Sequence, residues 1–329
     1  GVPAAVGRPR LLHPRRVPAG GRGPLVGIDV LPARGPSGTL HDGAIFSGLR
    51  ATVRCHDPGG VEAFARVWRR EAEERPRGGG VAAVLGAGNV TGLGPADVFA
   101  QVFEHGRAAF LKLHPVQASL AGVLSRALAP LVEEGLLAIV AGGAEVSREA
   151  IAAPQTTHVH LTGGIGTFEA VVWGGPRPAD PAARPAIAKP VTCELGNVTP
   201  WFVLPGRYSK ATLAFQADQV AASIANNTSF NCIATKVIVT CRSWEQRGEF
   251  LGLVRRRLES LPARAGWYPG SGAAWREATG RSAPEDGTLP WVLETDVDPA
   301  RRTHHCRREW FVPVACETAL EAADLAGFC

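Results

Sequence analysis

Val191-Thr192-Cys193-Glu194-Leu195-Gly196-Asn197-Val198-Thr199-Pro200 and, further on, Asn231-Cys232-Ile233-Ala234-Thr235-Lys236 are the two ends of the stretch on which the reading of this chain turns. A carboxylate, Glu194, stands just before a glycine turn at one end, and a thiol, Cys232, stands at the other. Between them Leu213, Ala217, Val220 and Ile224 recur at helical spacing, which predicts a helix with one buried face. From Thr235 to Thr240, Val237 and Val239 alternate with other residues and predict a strand. Cys232 therefore falls on a short helix-to-strand connection, where a thiol can face a cleft. Glu194 can face the same cleft from the other side of the helix.

Upstream, the pattern is regular from Val81. Strands are predicted at Val81–Leu85, Ala108–Leu113, Leu136–Val140 and His158–Leu161. Helical spacing over Asp97–His105, Leu120–Leu131 and Ser147–Ala152 separates them. Alternating strands and helices imply an α/β fold, a Rossmann-like parallel sheet covered by helices on both faces. Such sheets bind ligands at the carboxyl ends of their strands. Asn89, Lys112, Gly142 and Gly164 all fall at or beyond such ends. Downstream, Phe250, Val254 and Leu258 mark a helix, Leu261–Thr288 reads as loop, and Trp291–Glu294 reads as a strand.

A chain of 329 residues, 45% of them hydrophobic, can bury a large core in two domains. It has no apolar run long enough to span a membrane. The net charge of +5 is modest, and only the start is locally basic, with Arg8, Arg10, Arg15, Arg16 and Arg22 among Pro and Gly. A solvated arm is expected there, a transit peptide being the alternative. No aromatic residue is interleaved to stack on bases, so nucleic acid is not an expected partner. Seven cysteines without metal-finger spacing point to free thiols in a reducing compartment, hence a cytoplasmic protein. Of the histidines, His158 and His160 alternate on a strand and His304-His305 adjoin in a loop, so all read as structural or exposed and no metal is expected.

Several residues carry two readings each. Cys232 is either a small buried hydrophobe or a nucleophile. As a nucleophile it needs its thiol pKa, ordinarily ~8.5, lowered or its deprotonation assisted. A helix N-terminus or a bound cation would serve. Glu194 is a strand-end carboxylate or a general base. Asn89, after Gly86-Ala87-Gly88, is a turn residue or a donor at a strand end. Lys112 is a lysine snorkelling from its strand or a ligand-gripping cation. Thr162-Gly163-Gly164, between a strand and the next helix, merely turns the chain or lets backbone N–H groups approach a phosphate. No GxGxxG is present.

Glu194-Leu195-Gly196 followed by a cysteine after a helix resembles the aldehyde dehydrogenase superfamily, which carries a Glu-Leu-Gly base motif and a catalytic Cys in that order. Four further segments keep the family's order: Asn89, Lys112, Leu161-Thr162-Gly163-Gly164, and Glu309-Trp310-Phe311-Val312-Pro313-Val314. The resemblance spans about Val81 to Val314. It implies that Cys232 is the nucleophile, Glu194 the base that activates water, and Asn89 a donor to the oxyanion. It also implies that Lys112 grips the adenosine ribose, Thr162, Gly163 and Gly164 approach the pyrophosphate, Glu309 bonds the nicotinamide ribose, and Phe311 packs beside the ring. The implied cofactor is NAD or NADP, the substrate a small-molecule aldehyde, and the assembly a homodimer or homotetramer.

Departures from the family pattern are specific. Gly-Gln is absent before Cys232, Lys112-Leu113-His114-Pro115 lacks the usual acid, Gly164 replaces a serine, and Val312 replaces a glycine. Because no acid follows Lys112 to repel a 2′-phosphate, NADP is expected to be accepted at least comparably to NAD. The expected division is an N-terminal arm and dinucleotide-binding domain over 1–193 and a catalytic domain over 194–329. The family's closing strands and oligomerisation tail would follow Cys329, so the catalytic domain is expected to be incomplete. The expected reaction is oxidation of an aldehyde to a carboxylic acid through a thiohemiacetal and thioester on Cys232. Two rivals are an enzyme that passes the thioester to coenzyme A and a catalytically silent cofactor-binding scaffold.

Overall fold

A computed structural model describes residues 15–17, 25–31, 44, 49–56, 59–73, 79–322 and 325–328. The chain separates into two compact units, residues 1–79 with 100–107, and residues 80–99 with 108–329. In the first unit β1 (Arg15–Val17), β2 (Leu25–Leu31) and β3 (Ala51–His56) form an antiparallel sheet in the order β1-β2-β3. Val26 and Ile28 are buried, and a helix follows at Gly60–Glu73. The expected basic arm is thus corrected in part: Arg15 and Arg16 are paired in β1, while Arg8, Arg10 and Arg22 lie outside the described residues.

The second unit holds two parallel sheets. The first has β4 (Val81–Leu85), β5 (Ala108–Leu113), β6 (Leu137–Ala141), β7 (Thr156–Gly163) and β8 (Val191–Leu195), in the order β6-β5-β4-β7-β8. Every neighbouring pair is parallel. This is the α/β, Rossmann-like sheet that the sequence predicts. Ala82, Ala83 and Val84 on the central β4 are fully buried, as a strand covered on both faces requires.

Two predicted helices differ in detail. The Asp97–His105 segment is an α-helix over Leu93–Phe99 followed by a π-helical turn over Ala100–Glu104. The Leu120–Leu131 segment breaks at Leu128 into helices Ala121–Ala127 and Ala129–Glu133. Pro130, with no N–H to donate, sits in the first turn of the second.

The second sheet uses β9 (Thr199–Phe202), β10 (Thr235–Cys241), β13 (Val292–Glu294) and β14 (Val314–Leu320), in the order β13-β14-β10-β9. Its covering helix, Lys210–Ala225, starts at Ser209, whose side chain accepts from the Thr212 N–H, and it buries Leu213, Ala217, Val220 and Ile224 as expected. A second helix, Arg247–Glu259, joins the same core through Phe250, Val254 and Leu258. The alternation read in β10 does not hold: every residue from Thr235 to Cys241 is buried, because β10 lies inside the sheet. Leu261–Thr288 is not a plain loop either. It contains β11 (Arg264–Ala265), paired with β12 (Thr288–Leu289), and a helix at Ser271–Thr279 that buries Trp275. Gly270 and Gly280 bound that helix at φ +78° and +67°.

One buried ion pair ties this sheet to its helix. Glu317 on β14 is fully buried and accepts from Arg247 at 2.7 and 3.1 Å and from the Asp296 N–H at 3.0 Å. Glu317→Gln keeps the volume and removes the charge that these donors answer, which should cost about 2–3 kcal/mol. A urea midpoint equal to that of the unsubstituted protein would overturn this reading. Among the described residues no helix is long and apolar enough to cross a membrane.

Candidate active site

The carboxyl ends of β4, β7 and β8 open on a cavity of about 730 Å³ in the second unit. Asn89, Thr162, Gly163, Gly164 and Glu194 line it from the strand ends and loops of the first sheet, and Cys232, Glu309 and Phe311 line it from the second sheet's side. The fold therefore gathers all the predicted site residues except Lys112. That lysine is 9% exposed on β5 and does not border the cavity.

Cys232 follows an unusual turn. Asn227, Thr228 and Ser229 are all left-handed, at φ +51°, +55° and +65°, without a glycine among them. Side chains hold this turn in place. Asn227 Nδ2 donates to the Asn89 carbonyl at 3.0 Å and to the Phe230 carbonyl at 3.2 Å, and Asn89 Nδ2 donates to the same Phe230 carbonyl at 3.0 Å. An amide nitrogen has two hydrogens, so Asn89 keeps one for another acceptor. Phe230 is fully buried, with its ring centroid 5.1 Å from Trp267, 5.7 Å from Tyr268 and 5.9 Å from Phe311. The Cys232 carbonyl accepts from Thr199 Oγ1 at 3.1 Å and Asn197 Nδ2 at 3.3 Å.

Burial first, then the Glu194 carboxylate and a hydrogen bond to it, and then Glu309, push the Cys232 thiol above its ordinary value. A thiol lowered by the protein's own groups, one of the two routes open to a nucleophile here, is not what the fold builds. Glu194 is the neighbouring carboxylate that can accept a proton. Glu309 lies against the Glu194-Leu195-Gly196 turn. A Cβ on Gly196 would meet Glu309 Oε2 at 1.7 Å, so only glycine leaves room for that carboxyl. The Asn197 backbone N–H favours the charged form of Glu309, while Oε1 is buried without a hydrogen-bond partner. Burial raises Glu309 to about 7, with Lys236 opposing and Glu194 adding to the shift.

On the first sheet, Thr162 Oγ1 donates to Asp97 at 2.9 Å, which fixes its rotamer. Nothing lies within 4 Å of a Cβ built on Gly164 or Gly166, at the start of the helix Ile165–Trp173. A ligand phosphate can approach those N–H groups. Burial lowers Lys112, and Glu145, at the start of the helix Ala144–Ala152, opposes that shift. Together with the orphaned Glu309 oxygen, the open glycine turn makes this cavity chemically suited to a dinucleotide, whose phosphates and ribose hydroxyls match those groups.

Three residues were not among the predicted site residues. His114 borders the cavity and stacks on Tyr268 at 5.6 Å, and a Cβ on Gly88 would lie 2.4 Å from its Nδ1. Burial and then Lys112 lower its pKa. Tyr268 came from a segment read as loop, although its Trp267-Tyr268-Pro269-Gly270 run was a visible signal. Lys236 was lost in the alternating pattern, although a lysine inside an apolar run is itself a signal. Of the histidines, His158 Nε2 and His160 Nδ1 both meet Thr192 Oγ1, at 2.9 and 2.8 Å, and His160 also faces Asp97 at 3.4 Å. Buried His305 faces Glu294 at 3.4 Å, and the His304 side chain lies outside the described residues. Among the described residues no group of three or more candidate ligands converges for a metal.

No protein-family model matches the sequence, and no curated protein matches it significantly. Solved structures do match. An aldehyde dehydrogenase of Mycobacterium tuberculosis complexed with NAD+ aligns at 17% identity and a TM-score of 0.56, over 80% of this chain and 60% of its own. An aldehyde dehydrogenase of Pseudomonas aeruginosa aligns at 20% identity and 0.58, over 74% and 52%. This chain has the aldehyde dehydrogenase fold. An NAD-dependent aldehyde dehydrogenase of Sinorhizobium meliloti agrees, at 17% identity and 0.57, over 80% and 58%. The chain spans between 52% and 60% of the length of these three aldehyde dehydrogenases.

Proposed function

We propose that this chain carries out the NAD(P)-dependent oxidation of a small-molecule aldehyde to a carboxylic acid, through a thioester on Cys232. In this reading residues up to 193 form the cofactor domain and those from 194 the catalytic domain. The observation that carries it is that Glu194 and Cys232 border one cavity with Asn89, the carboxylate close enough for its charge to act on the thiol. Thr162, Gly163, Gly164, Glu309 and Phe311 would hold the dinucleotide, with Lys112 nearer its adenosine end. When bound, the dinucleotide supplies the hydride acceptor and a positive ring close to the sulfur.

The chain's own residues do the rest. Glu194, beside the thiol, takes its proton, and the sulfur adds to the aldehyde carbon. The remaining Asn89 N–H and the Cys232 backbone N–H receive the developing oxyanion, donors of this kind contributing about 3 kcal/mol each. Once the substrate has been oxidised to the thioester, Glu194 gives up its proton and activates a water. That water adds to the acyl carbon, expels the thiolate and leaves the acid. Transfer to coenzyme A would need no such base, so the Glu194 contact favours hydrolysis. NAD(P)H formation over short, long and aromatic aldehydes, with and without coenzyme A, tests the reading. Turnover without coenzyme A is expected; cofactor binding with no turnover on any aldehyde would make the chain a binding scaffold.

Glu145 bears on the choice of cofactor. In this reading Glu145, at the start of the helix after β6, stands in for the acid missing after Lys112: its charge acts on that lysine and would repel a 2′-phosphate. NAD is therefore expected to bind about tenfold tighter than NADP, in place of the comparable binding expected from the segment after Lys112 alone. Glu145→Gln should narrow the gap. Fluorescence titration of both cofactors measures it, and equal affinities would remove Glu145 from this role. A homodimer or homotetramer belongs to the same proposal. Phe202 and Leu204, 57% and 44% exposed at the edge strand β9, are a surface that association would cover.

A further inference from the structure

Lys236 has no part in the chemistry above, yet it is 2% exposed in the middle of the second sheet. Its ammonium makes three hydrogen bonds: to the Ser229 carbonyl at 3.1 Å, to Ser229 Oγ at 2.8 Å, and to the Val312 carbonyl at 3.2 Å. An ammonium has three donors, and all three are used. The two segments it joins are distant in sequence. Ser229 ends the left-handed run Asn227–Ser229, three residues before Cys232, and Val312 lies three residues after Glu309. Phe311, between Glu309 and Val312, is also left-handed at φ +51°. Both segments thus hold non-glycine residues in a conformation that costs free energy and persists only where surroundings enforce it. Lys236 is the charged group that grips both.

We propose that Lys236 is a positioning residue: its ammonium clamps the turn that delivers Cys232 to the segment that delivers Glu309, and its charge favours the ionised Glu309 carboxylate. Burying an ammonium is costly unless it is hydrogen-bonded and balanced, and here carbonyls satisfy its donors while Glu309 supplies the opposite charge. Burial brings Lys236 down to about 8, with Glu309 opposing, and the same attraction holds Glu309 below where burial alone would put it. The charged or titratable groups facing Glu309 are Lys236 on β10, Glu194 on β8, Cys232 on its turn and Tyr268 in the segment after Leu261. Of these Lys236 is the cation. A neutral residue there would leave the Asn197 N–H as the one group that favours the Glu309 charge, against burial and Glu194.

The proposal rests on the reading of this cavity as the thiol site, but its decisive measurement needs neither cofactor nor aldehyde. With glutamate side chains labelled by carbon-13, and the Glu309 resonance assigned by its loss in Glu309→Gln, the unsubstituted protein should titrate at about 7. A second, smaller inflection should follow at about 8 as Lys236 loses its proton. Lys236→Met should raise the Glu309 midpoint by about one pH unit, a tenfold change in ionisation, and Lys236→Arg by no more than ~0.3. A single inflection in the unsubstituted protein overturns the proposal even if Lys236→Met fails to fold. An unmoved midpoint in a folded Lys236→Met overturns it equally. Where the unsubstituted protein oxidises aldehydes, Lys236→Met should lower kcat about 100-fold, as misplaced reacting groups do, with KM within ~threefold, and Lys236→Arg should regain most of it. Absence of turnover in the unsubstituted protein refutes the dehydrogenase reading and leaves the titration to decide on Lys236.

Discussion

Cys232→Ala should lower aldehyde-dependent NAD(P)H formation by at least ~10⁴-fold, about 5 kcal/mol of transition-state stabilisation. Cofactor affinity should stay within ~threefold. Cys232 is the one cysteine lining the cavity among the described residues, so no neighbouring sulfur can take over. Cys193 is exposed on β8 and Cys241 is buried on β10. An alanine variant that still turns over would end the thioester mechanism. Alkylation gives a second readout with a definite sign. Because burial and Glu194 push the Cys232 thiol up, iodoacetamide should label exposed Cys193 first when no cofactor is present. On the proposed reading, bound NAD+ would bring a positive ring towards the sulfur and so bring Cys232 forward. Unchanged Cys232 labelling across a saturating NAD+ titration would mean that the ring does not reach the thiol.

Glu194→Gln should cut steady-state turnover by about 10³-fold, ~4 kcal/mol, within the range of a lost general base. Glutamine keeps the shape but cannot take a proton from the thiol or from water. A pre-steady-state burst of NAD(P)H should survive in amplitude but rise more slowly, with acyl-enzyme accumulating behind it. A burst at full speed would confine Glu194 to deacylation, and its complete loss would assign Glu194 to the thiol step alone. The charge has a separate signature. Two of the causes that raise the Cys232 thiol belong to Glu194, so removing them lowers the thiol's ionisation range. Cys232 in Glu194→Gln should therefore be alkylated faster at neutral pH without cofactor. Slower alkylation would show that Glu194 promotes the thiolate more as a base than it opposes it as a charge.

The sequence by itself determined four of the five strands of the parallel first sheet, β4 to β7 but not the edge strand β8, because buried strands separated by amphipathic helices leave a periodicity that local residues alone produce. It also determined the helix Lys210–Ala225, whose apolar spacing matches its buried face residue for residue. It picked out eight residues that do border one cavity, through short motifs at strand ends where the fold leaves side chains free. What it misread depended on neighbours. Whether β10 is covered on one face or both is decided by β9 and β14, which pair with it from far along the chain. The same pairing buries Lys236 inside the sheet. Glu145 reaches Lys112 only because β5 and β6 are adjacent strands, and no local pattern records that adjacency. The upward push on the Cys232 thiol likewise arises from burial and from two carboxyls on other elements, Glu194 and Glu309. Periodicity and turn chemistry are local and survive in one dimension. Electrostatic environment is a sum over spatial neighbours, and only the folded chain fixes which neighbours those are.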